Sequence, residues 1–187
     1  LHFTIHSFPT RRSSDLVRRL AEDRYLRLGL RNSRPWRELA LLTRLHAGDM
    51  PVPPPAAARI APLGPASPWY RGDLVTGFLA GTQTLTERLR RAGPDAVPWP
   101  GIGATIARFH RVGVDHADLN AHNVLLDDSD RVYLIDFDRA RLRWPGRWST
   151  RNLRRLQRSL AKIARTEASI SCDAGGWHRL MAGYRSA

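Results

Sequence analysis

The chain has 187 residues, 42% of them hydrophobic, which is enough for one substantial core of at most two lobes and too little for several domains. Its single cysteine, Cys172, excludes an intrachain disulfide and any multi-cysteine metal site and fits a reducing compartment such as the cytoplasm; no apolar run approaches the roughly 18 residues of a membrane-spanning helix. Thirty Lys plus Arg against 17 Asp plus Glu leave a charge of +13, which favours anionic partners without choosing between nucleic acid, phosphorylated ligands and an acidic membrane surface.

The opening segment LHFTIHSFPTRRSSDL has no helical or strand period. Its HSFPTRRSSDL portion matches the in-frame translation of a widely used sequencing-library adapter, so Leu1 to Leu16 are set aside from the fold as non-native. The alternative is a genuine disordered N-terminus. On the first reading the gene continues upstream of Val17.

A helix is predicted from Ser33 to Gly48, capped by Asn32 or Ser33, with Pro35 in its first turn, Gly48 at its end, and Trp36, Leu39, Ala40 and Thr43 on one face. MPVPPPAAARIAP is too proline-rich for a helix and reads as a connector into extended structure. Tyr70 and Asp73 to Leu79 follow as a hairpin arm, Gly77 to Gly81 as a flexible crossing, and TLTERLRRA as a helix. Ile102, Ile106 and Phe109 mark a buried helix from about Gly101 to Arg111, closed by Gly113. Val124 to Leu126 and Val132 to Ile135 form a hairpin about the turn DDSD. In RWSTRNLRRLQRSLAKIA, Leu153, Leu156, Leu160 and Ile163 line one stripe, while Arg151, Arg154, Arg155, Arg158 and Lys162 lie elsewhere on the helix.

The segment that carries chemistry is HADLNAHNVLLDDSDRVYLIDFD, from His116 to Asp138. Symmetric pairing about a turn between Ser129 and Asp130 puts Asn123 opposite Asp136 at the open end of the hairpin, with Asp118 in the loop just ahead. Two carboxylates and an amide converge there. Such oxygen ligands suit Mg²⁺, which takes one or two carboxylates and completes its shell with water and phosphates. Phosphoryl transfer needs that metal and a carboxylate that orients the acceptor hydroxyl and takes its proton.

HADLNAHN resembles the kinase catalytic loop, and IDFD stands where protein kinases carry DFG. Together with YLIDFDRARLR and DRYLRLGLRNSRPWRELALLTRLHAGDMPVP, it closely resembles the bacterial 3-deoxy-D-manno-octulosonic acid (Kdo) kinases, a lipopolysaccharide core kinase family, over residues 17 to 187. The resemblance implies an α+β, protein-kinase-like fold: a truncated N-lobe at 17–80 and a mainly helical C-lobe at 81–187. It implies transfer of the ATP γ-phosphate to a hydroxyl of Kdo on lipid A, with Mg²⁺. Asp118 is then the catalytic base or acceptor-orienting group, Asn123 and Asp136 are Mg²⁺ ligands, His116 supports the loop, and Glu38 partners the basic residue that binds ATP. The implied protein is a monomer, peripheral on the cytoplasmic side of the inner membrane, with no nucleic-acid partner.

The sequence departs from the pattern in three respects. Asp138 replaces the glycine of DFG. Arg139 to Arg147 leave little room for a peptide-binding activation loop, which favours a small or lipid-linked acceptor. Before Glu38 there is no glycine-rich turn and no phosphate-holding basic strand residue, so the chain is expected to be a fragment that binds ATP weakly and is inactive or nearly so.

Simpler readings stand beside these. His122 reads as a loop-packing or solvent-facing histidine, and Asp127, Asp128 and Asp130 as turn residues, since a calcium loop would need a following glycine and distal glutamate. Glu38 can also be an acid favoured in a helix's first turn. The basic helix 151–162 is either a solvated face or a contact for lipid phosphates and anionic headgroups. Ser13 and Ser14 lack the surroundings of a hydrolase nucleophile. The competing functions are an aminoglycoside or choline-type phosphotransferase, which would need an acidic acceptor pocket, a catalytically dead kinase-like scaffold, and a nucleic-acid-binding module, for which no stacking platform is seen.

Overall fold

The computed structural model describes residues 3–6, 25–26, 33–64, 69–167 and 174–187. Asn32, Ser13, Ser14 and Cys172 lie outside them, as does Leu1–Leu16 apart from 3–6. Helices and strands are mixed in an α+β arrangement, and the chain divides into two units, Leu1–Gly48 with Pro53–Phe78 and Asp49–Val52 with Leu79–Ala187.

In the first unit, β1 (Phe3–His6), β2 (Tyr25–Leu26) and β3 (Pro55–Pro62) all pair antiparallel with β4 (Trp69–Gly77). β3 begins inside the proline-rich stretch read as a connector. β1 arises from the segment that the sequence reading set aside: Phe3 faces Gly77 and His6 faces Leu74. Ladder bonds are made by main-chain groups that every non-proline residue carries, so a strand edge can recruit a segment with no strand pattern of its own.

Helix α1 (Arg34–Ala47) completes this unit, with Pro35 in its first turn and Gly48 at its C-cap, whose N–H bonds to carbonyls of the last turn. Its buried face is Pro35, Glu38, Leu41, Leu42 and Leu45, not the predicted face, and Trp36 is 43% exposed. Three leucines at helical spacing outweigh one tryptophan as a buried stripe. Close approach fixes this orientation: a Cβ at Gly72 would lie 2.4 Å from Pro35 Cγ, and Arg34 N–H donates to Tyr70 Oη at 3.1 Å.

The second unit begins with β5 (Gln83–Thr84) and α2 (Leu85–Ala92), joined by a capping box in which Glu87 N–H donates to Thr84 Oγ1 at 3.1 Å and Thr84 N–H to Glu87 Oε2 at 2.8 Å. Helix α3 (Trp99–Arg111) starts two residues before the predicted Gly101 and buries Trp99, Ile102, Ile106 and Phe109. The short strands β6 (Val114–Asp115) and β9 (Arg141–Leu142) pair with each other, and β5 pairs with β7 (Val124–Leu126), which pairs with β8 (Val132–Leu134). The 49–52 segment joins this unit where Leu134 N–H donates to Pro51 O at 3.1 Å. Helix α4 (Trp148–Thr166) buries Leu153, Leu156, Leu160 and Ile163 as predicted.

The final helix, α5 (Ala174–Ser186), was not anticipated. It packs backbone to backbone against α3: a Cβ at Gly103 would lie 2.0 Å from Leu180 O, and one at Gly183 2.1 Å from Pro100 O. Glycine here supplies proximity, not a break.

Gly103→Ala is therefore expected to destabilise the fold by about 1–3 kcal/mol through overpacking, despite alanine's better helix propensity. At Gly101 an added Cβ meets only ordinary contacts of 3.8 and 3.9 Å, so Gly101→Ala should be neutral or stabilising by up to about 1 kcal/mol. Urea unfolding of the pair decides the matter; equal responses would rule out the close approach.

Candidate active site

The site grows from a buried carboxylate. Asp115, 2% exposed at the end of β6, takes Asn152 Nδ2 on Oδ1 at 2.8 Å, and Arg143 Nε and Arg151 Nη2 on Oδ2 at 3.0 and 3.1 Å. Asn152 returns the loop's backbone to the same helix, its Oδ1 accepting His116 N–H at 2.9 Å. His116, also buried, donates Nε2–H to Ile135 O at 2.9 Å and lies against Phe137 with ring centroids 4.8 Å apart. Burial holds this imidazole below its ordinary pKa, so the ring is neutral and its proton sits on Nε2, pointing at the residue before Asp136.

Beyond His116 the loop folds on itself. Asp118 O accepts from Asn120 Nδ2 at 2.9 Å and from Asn123 Nδ2 at 3.0 Å, so the Asn123 amide is turned with its oxygen as the remaining ligand end. Asp118 Oδ1 is ion-paired with Arg155 of α4, and Ala121 N–H donates to Ser159 Oγ at 3.2 Å.

The predicted register is off by one residue. Val124 faces Leu134 and Leu126 faces Val132, so Asn123 comes opposite Ile135, whose N–H it accepts at 3.1 Å, and not opposite Asp136. The cause lies in the turn: Asp127 Oδ1 takes Ser129 N–H and Arg131 N–H, both at 2.9 Å, and Asp130 adopts a left-handed φ of 60°. That makes a three-residue loop where the sequence suggested an even one. Asp136 nevertheless follows directly, at the same end of the hairpin, with its own φ at 65°. Asp127, Asp128 and Asp130 are turn residues, and His122 is exposed, as expected.

Asp136 is raised from its ordinary pKa, first by burial and then by the like charges of Asp118 and Asp138, with a backbone hydrogen bond at Asp138 opposing. A partly buried carboxylate raised in this way gains from a cation, and the Asn123 oxygen lies at the same hairpin end. Among the described residues no group of three or more His, Cys, Asp or Glu could hold a metal. A two-oxygen protein site still fits Mg²⁺, whose remaining shell is water and substrate phosphate. Glu38 lies in the other unit, buried on α1 at 6% exposure; it falls beyond the first turn, which holds no acid, so the reading of it as a favoured first-turn acid does not stand.

Arg155, Asn152, Arg151 and Asp115 were not singled out from sequence. Their signal was present in the spacing, since Arg151, Arg155 and Ser159 form an i, i+4 row on α4 off its apolar stripe. The basic helix is thus only partly a solvated face: Arg151 and Arg155 pair with loop carboxylates, while Arg154, Arg158 and Lys162 are exposed.

Known proteins resemble this chain in sequence and in fold. The model of the lipopolysaccharide kinase (Kdo/WaaP) family matches residues 11–184. Proteins named 3-deoxy-D-manno-octulosonic acid kinase are similar along most of the chain. The one from Xanthomonas axonopodis pv. citri (strain 306) is 42% identical over 167 residues, 88% of this chain and 66% of its own length. The one from Stenotrophomonas maltophilia (strain K279a) is 41% identical over 90% of this chain and 66% of its own. The chain thus spans just under two thirds of these relatives. A solved structure of WaaP in complex with acyl carrier protein shares the fold, with a TM-score of 0.60 and 24% identity over 86% of this chain and 68% of that one. The protein-kinase-like fold expected from the catalytic-loop pattern is the fold observed.

Two outcomes are expected from the buried groups. Asn152→Leu should cost about 2–4 kcal/mol in urea unfolding, because it strips a partner from a buried charge and from His116 N–H, whereas Arg158→Ala should stay within about 0.5 kcal/mol. The second concerns pH. His110, 2.8 Å from Tyr184 Oη, is lowered by burial to about 4, and His116 is lowered too. The unfolded chain binds protons on these rings near pH 6.5 that the folded chain refuses, so their stabilisation is full above about pH 6.5 and is lost as the pH falls, for His110 toward 4. His110→Gln should flatten unfolding free energy against pH across that window; an unchanged slope would count against a neutral buried ring.

Proposed function

The chain belongs to the lipopolysaccharide kinase (Kdo/WaaP) family, and on that premise we propose that the protein transfers the γ-phosphate of ATP to a hydroxyl of Kdo on lipid A. The observation that carries this reading is the convergence of Asp118, Asn123 and Asp136 at one end of a hairpin pinned by His116, in a chain 42% identical to proteins named Kdo kinase.

Asp118 is assigned the acceptor. Its carboxylate, 28% exposed, is open enough to meet a sugar hydroxyl, orient it and take its proton as the new phosphoester bond forms. Asn123 Oδ1 and the Asp136 carboxylate would hold a divalent ion, Mg²⁺ by the hardness of these donors, and a metal bound there neutralises phosphate charge in transfer. His116 is a positioning residue: its bond to Ile135 O couples the loop carrying Asp118 to the strand that delivers Asp136. Glu38 is assigned to the ion pair that steadies the basic residue holding the ATP phosphates.

Arg155 favours an anionic acceptor over the cationic acceptors of aminoglycoside or choline-type phosphotransferases. A guanidinium on Asp118 repels an ammonium substrate and attracts an acidic sugar. A lipid-linked acceptor places the protein at the cytoplasmic face of the inner membrane, as a peripheral monomer with no nucleic-acid partner. Among the described residues no helix is long and apolar enough to cross a membrane.

The test is Mg²⁺-dependent phosphate transfer from ATP to Kdo-lipid A by the full-length product of the encoding gene. Asp118→Asn should lower the rate by about 10²–10⁴-fold with the fold intact, and chelation of divalent ions should stop transfer. Arg155→Gln should raise KM for the acidic acceptor several-fold and leave KM for ATP unchanged. Full activity in Asp118→Asn would refute the assignment of the base, and ATP binding without transfer to this acceptor would shift the reading to another small-molecule phosphotransferase.

A further inference from the structure

The ladder that ends at the catalytic loop carries a second feature at its other end. Trp144 is 92% exposed, the most exposed large apolar side chain among the described residues. Leu142 pairs with Val114, and Arg143 N–H donates to Gly113 O at 2.8 Å, so Trp144 leaves the ladder next to the turn that holds Val112. Val112 and Leu142 are themselves 51% and 42% exposed. Exposed Arg111, Arg139, Arg141 and Arg147 belong to the same stretch of chain, while the acid nearest in the ladder, Asp115, is buried and already engaged by Arg143 and Arg151.

The tip is built rather than loose. Trp148 Nε1–H donates to Trp144 O at 2.7 Å, and Ser149 N–H and Oγ–H both reach Gly146 O, at 3.3 and 3.1 Å. Those bonds use the backbone carbonyls of residues 144 and 146; none of them uses the Trp144 indole. A single exposed apolar residue on a surface is ordinary, but three in adjoining turns, flanked along the chain by four exposed arginines, are not.

We propose that Val112, Leu142 and Trp144 form an interfacial anchor for an anionic bilayer, with Trp144 seated at headgroup level and Arg111, Arg139, Arg141 and Arg147 on lipid phosphates. An indole joins an apolar body to an N–H donor and suits that depth, and arginines spread their charge while laying their stems on apolar surface. A protruding tryptophan flanked along the chain by exposed arginines fits a soft anionic surface better than it fits a protein groove. The choice of a bilayer rests on the proposed lipid-linked acceptor, and the geometry serves that acceptor: Val112 and Asp118 lie on either side of the two-residue strand β6, so an anchored tip holds the acceptor carboxylate near the membrane surface.

The experiment is co-sedimentation of the purified protein with phosphatidylcholine vesicles, with and without a quarter phosphatidylglycerol, in moderate salt. The parent should bind the anionic vesicles and not the neutral ones. Trp144→Ala, at an exposed position that should leave the melting temperature unchanged, should weaken binding about tenfold. Joint Arg139→Gln, Arg141→Gln and Arg147→Gln should weaken it about a hundredfold. Equal binding by parent and Trp144→Ala would overturn the anchor in favour of diffuse charge attraction. Absence of vesicle binding, with a concentration-dependent dimer lost in Trp144→Ala, would overturn it in favour of a second copy of the chain. Vesicle binding needs no turnover, so failure of phosphate transfer with the anchor intact counts against the kinase reading alone.

Discussion

Burying a carboxylate costs several kcal/mol unless its oxygens are fully engaged, and Asp115 is engaged on both. Its partners come from two places, the chain after β9 and the first turns of α4, so one buried charge ties three segments together. Asn152 uses its amide twice, donating to Asp115 and accepting from His116 N–H. The direction of the loop is therefore settled before Asp118 is reached. Arg155, one turn further along α4, meets Asp118, and Ser159, another turn on, meets Ala121. The catalytic-loop segment is read off by a helix at i, i+4 intervals.

The two site carboxylates differ in environment, and the difference suits different tasks. Asp136 is partly desolvated, raised by burial and by neighbouring acids, and its backbone is held at positive φ, a strain that the His116 to Ile135 bond and the hairpin ladder can support. Asp118 keeps 28% of its side chain exposed and carries a guanidinium. On the proposed reading, the first position awaits a cation and the second awaits a hydroxyl. An arginine there lets an anionic acceptor approach a carboxylate without net repulsion. The same pairing means that Asp118 is not a bare base before the acceptor arrives.

Much of this was legible in the residues. The apolar stripe of α4, the hairpin, the turn acids and the convergence of Asp118, Asn123 and Asp136 at one end followed from spacing alone. The register did not, because it turned on whether Asp130 would enter the left-handed region, and aspartate tolerates both outcomes. The buried face of α1 was misjudged because Trp36 was given more weight than Leu41, Leu42 and Leu45, and because a buried Glu38 looks polar in a periodicity argument. Helix α5 was missed because AGGWHRLMAGYRS reads as broken by glycines; only the nearness of α3 shows that Gly103 and Gly183 are small for packing. The polar row of α4 was visible, but a row of arginines gives no sign of which members will meet buried acids.

That last point bears on what +13 means. Net charge could not choose a partner from the sequence because it sums arginines with opposite duties. Arg143, Arg151 and Arg155 point at carboxylates of their own chain, where the guanidinium charge meets a fixed anion. Arg111, Arg139, Arg141 and Arg147 are exposed beside an apolar tip, where the same side chain offers its charge to an external anion. Replacing the first set with lysine would loosen the loop, because a compact, strongly hydrated ammonium on a flexible stem orders less well than a planar guanidinium. Replacing the second set would change little in the fold and much in what the surface attracts. The distinction lies in the partner each side chain meets, since Arg143, Arg151 and Arg155 keep side-chain exposures of 46%, 61% and 43%, and partnership is what composition omits.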